Sequence, residues 1–275
     1  MYNKVYVEIT NRCNMNCSFC HGHSRPARSM TEEEYARVLE QLTGKTQYIY
    51  HHLMGEPLLH PLLPRFIQMA AQAGFRPMLT TNGTLLDRFG NGILIPGLHK
   101  VNISLHSFEG EDRSAHRRYL RNVVEFMKKA SCMGIKVSLR LWNNGFDGGR
   151  NDTVLEALKD EFPDPWTQNT RGYRIRDGLF LEWGDRFDWP DQNAPDEGDS
   201  MTCRGLLDHF GILSDGTVVP CCLDSDGVIA LGNVFREDLT GIQASPRAQA
   251  MAEGFHRRKA VEDLCRRCGY AKRFQ

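Results

Sequence analysis

Cys13, Cys17 and Cys20 lie at spacings of four and three residues near the N-terminus. Three thiolates from one short loop cannot saturate a four-iron, four-sulfur cluster, so one iron would keep an open coordination position. An open position is where a metal centre does chemistry. With a distant fourth ligand the same three thiols would also suit zinc. A second group, Cys203, Cys221, Cys265 and Cys268, supplies four thiolates and could saturate either zinc or an iron–sulfur cluster. Spacing alone does not choose between them. The cysteines total nine, odd in number and clustered, which in a reducing compartment points to metal binding or catalysis before disulfides. Cys222 reads as a small buried residue beside a ligand. Cys132 shares a polar helix face with Glu125, Lys128 and Lys129 and is assigned no role.

Other residues could serve a polar ligand. In Met54-Gly55-Glu56-Pro57 the glycine permits close backbone approach and the carboxylate could hold an ammonium group. Asn102, Ser104 and His106 alternate with Val101, Ile103 and Leu105, and Ser138 and Arg140 repeat the pattern. Parallel strands covered on both faces normally read as continuous apolar runs. A polar face therefore predicts a barrel lumen that holds a polar ligand.

The elements that must position these residues alternate between strand and helix patterns from Lys4 to about Trp183, as expected for βα units around a parallel sheet. Strands are expected at 5–9, 48–52, 76–80, 99–106, 135–141 and 179–183. Helices are expected from the Thr31–Glu34 capping box to Leu42, from Pro61 to Gly74, from Asp112 to Gly134 and at 153–161. An acidic connector spans 185–202. Beyond it, Gly211 to Pro220 predicts a hairpin turning at Asp215-Gly216, followed by helical segments at 244–258 and 260–264. The expected organisation is thus a core at 1–184, a linker at 185–202 and an auxiliary region at 203–275. Charge is balanced at 34 basic and 34 acidic side chains, which disfavours broad nucleic-acid binding. The absence of a long apolar run or signal-like N-terminus leads to the expectation of a cytoplasmic protein without a membrane anchor.

The CxxxCxxC loop after the first strand, Phe19 before its last cysteine and the Gly-Glu-Pro element after the second strand together resemble the radical S-adenosylmethionine (AdoMet) superfamily. Met54 stands where that family often has a glycine. The resemblance implies an α/β fold, a partial (β/α)6 barrel, with Cys13, Cys17 and Cys20 holding a [4Fe-4S] cluster whose unique iron is chelated by AdoMet. It implies that Phe19, Met54, Gly55 and Glu56 border the cofactor, the last three near its amino group. Asn102, Ser104, Ser138 and Arg140 become ribose or carboxylate contacts. Cys-x12-Gly-x4-Cys followed by a distant CxxC is similar to the shortened SPASM extension called twitch, which implies one auxiliary cluster on Cys203, Cys221, Cys265 and Cys268. Two [4Fe-4S] clusters and AdoMet are the cofactors so implied, with a flavodoxin or ferredoxin-type electron donor.

The reaction implied is reductive cleavage of AdoMet to a 5′-deoxyadenosyl radical that abstracts hydrogen from a small polar substrate. Length and cysteine spacing are similar to those of the dehydrogenases of aminoglycoside biosynthesis, implying alcohol oxidation on a sugar or aminocyclitol. His106, Arg140 and Glu182 are the candidate bases. Alternatives are a radical lyase acting on a modified nucleobase such as queuine, and a peptide-modifying enzyme. The latter commonly carries an N-terminal leader-binding domain, for which a first strand at Lys4 leaves no room. A zinc-stabilised binding module is the non-enzymatic alternative.

Overall fold

The computed structural model describes residues 1–110 and 112–274. Its strands and helices in chain order are β1 (Lys4–Val7), α1 (Glu32–Leu42), β2 (Tyr48–Tyr50), α2 (Leu63–Gln72), β3 (Arg76–Thr81), α3 (Leu86–Ile93), β4 (Lys100–Ser104), α4 (Arg113–Cys132), β5 (Lys136–Leu141) and α5 (Arg150–Glu161). The chain continues through β6 (Thr167–Asn169), β7 (Gly172–Arg176), β8 (Leu179–Trp183), β9 (His209–Ile212), β10 (Thr217–Val219), β11 (Gly232–Asn233), α6 (Leu239–Gln243), α7 (Pro246–His256) and α8 (Asp263–Arg266).

Strands β1, β2, β3, β4, β5 and β8 lie side by side and parallel, forming the partial barrel. The sheet stays open. Beyond β8 it continues antiparallel through β7 and β6, and beyond β1 it continues through β9, β10 and β11. Because β9 pairs in parallel with β1, from Lys4↔His209 to Val7↔Ile212, the C-terminal region extends the same sheet. Its core is shared too: Phe210, Ile212, Val218 and Met251 are buried in one cluster with Val5, Ile49 and Leu79.

Alternation along the strands sorts the two faces. Val5, Val7, Ile49, Leu79, Val101, Ile103, Val137, Leu139 and Leu181 are buried in the hydrophobic core with the helices. Lys4, Tyr6, Tyr50, Lys100, Asn102, Ser138, Arg140 and Glu182 occupy alternate positions and so face the lumen. The helices are apolar on one side for the same reason. Tyr35, Val38, Leu39 and Leu42 of α1 are buried at helical spacing, and the capping box starts that helix.

All six barrel strands stand where alternation places them, as does the Asp215-Gly216 hairpin, but several elements differ from expectation. β2 ends at Tyr50 and β4 at Ser104, because Leu105–Ser107 forms a 3-10 turn. His106 therefore leaves the strand face shared by Asn102 and Ser104. Helix α3 was absent from the sequence expectation, its pattern masked by Gly90 and Gly92, both poor helix formers. Gly90 has a packing reason: a Cβ there would come within 3.0 Å of Phe126 on α4. The β6–β7 hairpin also escaped notice, since Thr167–Asn169 is exposed throughout and shows no apolar alternation.

Glu8, just past β1, is fully buried and joins four parts of the chain. It pairs with Arg25 of the cysteine loop at 2.6 Å and accepts hydrogen bonds from the Met54 amide at 3.2 Å, the Ser214 amide at 3.1 Å and the Ser214 hydroxyl at 2.9 Å. Removing one partner of a buried ion pair leaves an uncompensated charge and costs about 3–5 kcal/mol. Glu8→Ala should lower stability by about that amount in urea unfolding, with Glu8→Gln intermediate. A loss below about 1 kcal/mol, the size typical of an exposed pair, would show that the junction is not important to the fold.

Candidate active site and auxiliary metal centre

The cysteine loop follows β1 and is held from below. Gly55 adopts φ +78°, and a Cβ there would lie 2.4 Å from the Thr10 carbonyl oxygen and 2.9 Å from that of Arg12. Only glycine fits this left-handed position against another backbone. Next to it the Glu56 amide donates to the Arg12 carbonyl at 2.8 Å. The loop after β2 therefore grips the residues immediately before Cys13.

Other segments hold the remainder of the loop. Glu109 accepts from the Ser18 amide at 2.6 Å and its hydroxyl at 2.5 Å, and Trp189 Nε1 donates to the Phe19 carbonyl at 2.9 Å. Asp226 accepts from the Ser24 amide at 2.6 Å, while Arg25 Nε donates to the Ser225 carbonyl at 2.8 Å. The Cys17 thiol lies 3.7 Å from the Ser107 carbonyl. Burial and the neighbouring thiols push Cys17 up to about 11. Cys13 and Cys20 are exposed. Loop thiols that are partly open to solvent fit a cluster with one accessible iron.

Glu56 has a different place from the one expected. Its side chain is 1% exposed, and Oε1 accepts from the Leu58 amide at 3.0 Å and the Thr81 hydroxyl at 2.7 Å while Oε2 accepts from the Asn82 amide at 2.7 Å. The carboxylate is thus committed to three donors of its own chain, capping the 3-10 turn Pro57–Leu59 and tying it to the end of β3. The backbone that borders the residues before Cys13 is thus that of Gly55 and Glu56 rather than the Glu56 carboxylate. Met54 is buried beside Tyr6, Leu53, Leu213 and Val219.

The lumen residues form a charged array. Asn102↔Ser138 and Ser104↔Arg140↔Glu182 are in register across β4, β5 and β8. Ser138 donates its hydroxyl to Glu182 at 2.5 Å, so that hydroxyl is engaged with a protein carboxylate rather than open to a ribose. Lys100 Nζ lies 3.6 Å and Arg140 Nε 3.9 Å from Glu182. The Ser138 hydroxyl and these cations outweigh burial and hold the Glu182 carboxyl below its ordinary value. Arg140 stacks over Trp142 at 4.9 Å and is a permanent cation, which makes it an anion-binding group and removes it from the candidate bases. Asn102 is fully buried, its amide nitrogen donating to the Leu79 carbonyl at 3.2 Å while Oδ1 has no hydrogen-bond partner.

His106 stands beside the cysteine loop, its ring 4.9 Å from Phe19 and 6.3 Å from Trp142. Nδ1 lies 3.0 Å from the Arg140 carbonyl. The Trp142 amide also approaches Nδ1, at 3.4 Å, but the Arg140 carbonyl is nearer and only accepts, so the shorter contact favours the proton on Nδ1 and the lone pair on Nε2. Burial pushes the imidazole down to about 4.

Cys203, Cys221, Cys265 and Cys268 line one cavity together with Met201, Pro220, Ile229, Phe255 and Leu264. Burial raises all four thiols, and at Cys203, Cys221 and Cys265 the neighbouring sulfurs raise them further. Four thiolates in an apolar cavity require a positive metal centre to stay ionised, so the donor set fits a protein-saturated cluster. Among the described residues no three His, Cys, Asp or Glu side chains converge on a single-ion site. Cys222 turns the other way, buried against Tyr6 and near Lys4 and Arg140.

The sequence signature of the Radical SAM superfamily matches residues 7–159, and that of the SPASM iron–sulfur cluster-binding domain matches residues 203–269. The chain belongs to the radical SAM superfamily. It is 32% identical over 130 residues to the GTP 3′,8-cyclase of Chlorobaculum tepidum, covering 46% of this chain and 39% of that one. It is 31% identical over 276 residues to the probable GTP 3′,8-cyclase of Methanothermobacter thermautotrophicus, covering 86% and 89%. The first three of these relatives are matched over 39%, 54% and 52% of their length, so the chain spans about half of them or less. In fold it is similar to BtrN in complex with AdoMet and 2-DOIA, at TM-score 0.62 and 18% identity, covering 98% of this chain and 93% of that one. It is also similar to Streptococcus suis SuiB, at TM-score 0.63 and 13% identity, covering 98% and 72%.

The chain is accordingly a radical SAM enzyme that uses a [4Fe-4S] cluster and AdoMet, with auxiliary iron–sulfur ligation in its SPASM region. Enzymes of this class act on small molecules or peptides and draw on a reductant. Among the described residues no helix is long and apolar enough to cross a membrane.

The three donors around Glu56 generate a test. An unsatisfied buried donor costs about 1–3 kcal/mol. Glu56→Ala should lower stability by at least that much and loosen the turn beneath Cys13, seen as faster proteolysis of the cysteine loop. Wild-type stability with weakened AdoMet binding would instead place the carboxylate on the cofactor.

Proposed function

We propose that the enzyme oxidises a hydroxyl-bearing carbon of a small polar substrate, using the auxiliary cluster as electron acceptor. The observation that carries this reading is the four-cysteine cavity, whose ligands all come from protein and which is joined to the lumen through the Cys221-Cys222 pair. A cluster with no open iron is suited to electron transfer rather than substrate ligation. The barrel cluster and AdoMet supply a 5′-deoxyadenosyl radical when bound.

The balance is complete within the protein. With both groups bound, oxidation of a hydroxyl-bearing carbon would release a hydrogen atom for the AdoMet-derived radical to take, a hydroxyl proton for a base of this chain to accept, and one electron that a cluster on Cys203, Cys221, Cys265 and Cys268 would accept. We assign the base to His106, because its unprotonated Nε2 is available at neutral pH and it stands beside Phe19 at the cysteine loop. A weak base suffices, since loss of the hydrogen atom makes the neighbouring hydroxyl more acidic. Cys13, Cys17 and Cys20 hold the barrel cluster, with Phe19, Met54 and Gly55 bordering AdoMet. Asn102 Oδ1, buried and unpartnered, is an acceptor for a ribose hydroxyl, with Ser104 at the next lumen position. A flavodoxin or ferredoxin-type donor supplies the reducing electron, and we place the working boundary between barrel and auxiliary region in the 185–202 connector.

Cys265→Ser/Cys268→Ser separates oxidation from fragmentation. An oxidation that needs the auxiliary cluster should lose most of its product while 5′-deoxyadenosine still forms, a drop of at least tenfold in product per 5′-deoxyadenosine, equivalent to about 1.4 kcal/mol. Unchanged coupling, with the barrel folded and the auxiliary iron gone, would move the assignment to redox-neutral fragmentation.

A further inference from the structure

We propose that Lys4, Lys100 and Arg140 form a phosphate-binding subsite in the lumen, so that the substrate is a phosphorylated small molecule; this rests on the radical SAM reading above. The three cations come from different strands but serve one space. Tyr6, Tyr50, Met78 and Lys100 are in register across β1, β2, β3 and β4. The Lys4 ammonium lies 5.5 Å from the Tyr6 ring centre and 5.6 Å from that of Tyr50. Lys100 and Arg140 both approach Glu182, with side chains only 20% and 15% exposed.

The charges do not balance. Lys100 and Arg140 share a single carboxylate, Glu182, and Lys4 meets only Asp208, leaving an excess of positive charge in a largely dry space. Other nearby groups do not correct this. Glu8 is matched by Arg25 at 2.6 Å, and Asp208, which faces Lys4, is shared with Arg204 at 3.4 Å. Burial and the adjacent cations keep His52 neutral, and burial and Lys4 do the same for His209. Arg171 and Lys136 add further positive charge at the edges of the array. Unpaired buried cations are costly, and burial already lowers both lysines.

An unsatisfied donor points to the same ligand. Arg140 Nε is buried without a hydrogen-bond partner, and so is His52 Nδ1, which donates in one of the two neutral tautomers. A phosphate monoester carries close to two negative charges at neutral pH and offers three acceptor oxygens, which matches both the excess charge and the donors. A carboxylate would leave one charge uncompensated. An aminocyclitol would add a like charge, so the array disfavours that class among the substrates considered above.

The test uses the reconstituted full chain with saturating AdoMet and no reductant, titrated calorimetrically at fixed ionic strength with inorganic phosphate, glycerol 3-phosphate and glycerate. The inference expects saturable phosphate binding, tighter binding of glycerol 3-phosphate than of glycerate, and a loss of roughly tenfold in Lys100→Gln and in Arg140→Gln. Glu182→Gln removes the competing carboxylate and should tighten phosphate binding several-fold, an effect of opposite sign that a misfolded variant would not produce. Absence of phosphate binding, its abolition by AdoMet, preference for glycerate, indifference to Lys100→Gln and Arg140→Gln, or weaker binding in Glu182→Gln would each overturn the subsite. Failure of the radical SAM reading shows separately, as wild-type enzyme that does not cleave AdoMet when reductant is added.

Discussion

The Glu8 carboxylate is the constraint on which the arrangement of both cysteine groups depends. A charge with no solvent exposure must be paired and fully hydrogen-bonded, and Glu8 meets that demand by drawing together Arg25, the Met54 amide and Ser214. Its partners belong respectively to the cysteine loop, the loop after β2 and the hairpin leading to Cys221. A single desolvated anion therefore sets the cysteine loop, the loop after β2 and the auxiliary region against one another. Strand β9 reinforces the junction by pairing with β1 directly.

Around that junction the two cysteine sites differ in the way their chemistry requires. Cys13, Cys17 and Cys20 sit in a partly open loop held by backbone and carboxylate contacts from several segments. Cys203, Cys221, Cys265 and Cys268 are partly buried and line one largely apolar cavity. The first can leave an iron accessible, and the second cannot without displacing a thiolate. Between them lies a lumen in which Lys4, Lys100 and Arg140 share one inner face of the sheet with Glu182.

Much of this was legible in the sequence because alternation and cysteine spacing are local signals. Val5, Val7 and Ile9, or Asn102 and Ser104 against Val101 and Ile103, declare their faces without tertiary information. The four cavity cysteines were likewise separable from Cys222. What was not legible depended on long-range partners. Glu56 looks like a free carboxylate until Thr81 and Asn82 are seen to surround it. Glu8 reads as one more polar residue alternating with Val7 and Ile9 until Arg25, Met54 and Ser214 are seen to surround it. His106 was assigned to the strand face because apolar alternation persists through Leu105, whereas the backbone turns at that residue. Lys4 and Lys100 escaped for a related reason, since a lysine near the start of a strand reads as solvated until the sheet curls around it.

The central claim is that the chain carries one cluster open to AdoMet and one saturated by protein. Mössbauer spectroscopy of the iron-57 reconstituted enzyme, recorded before and after adding AdoMet without reductant, tests it most directly. The account predicts that one iron of one cluster acquires a new, higher-coordinate signature while the second cluster is unchanged. A response from both clusters, or from neither, would contradict it.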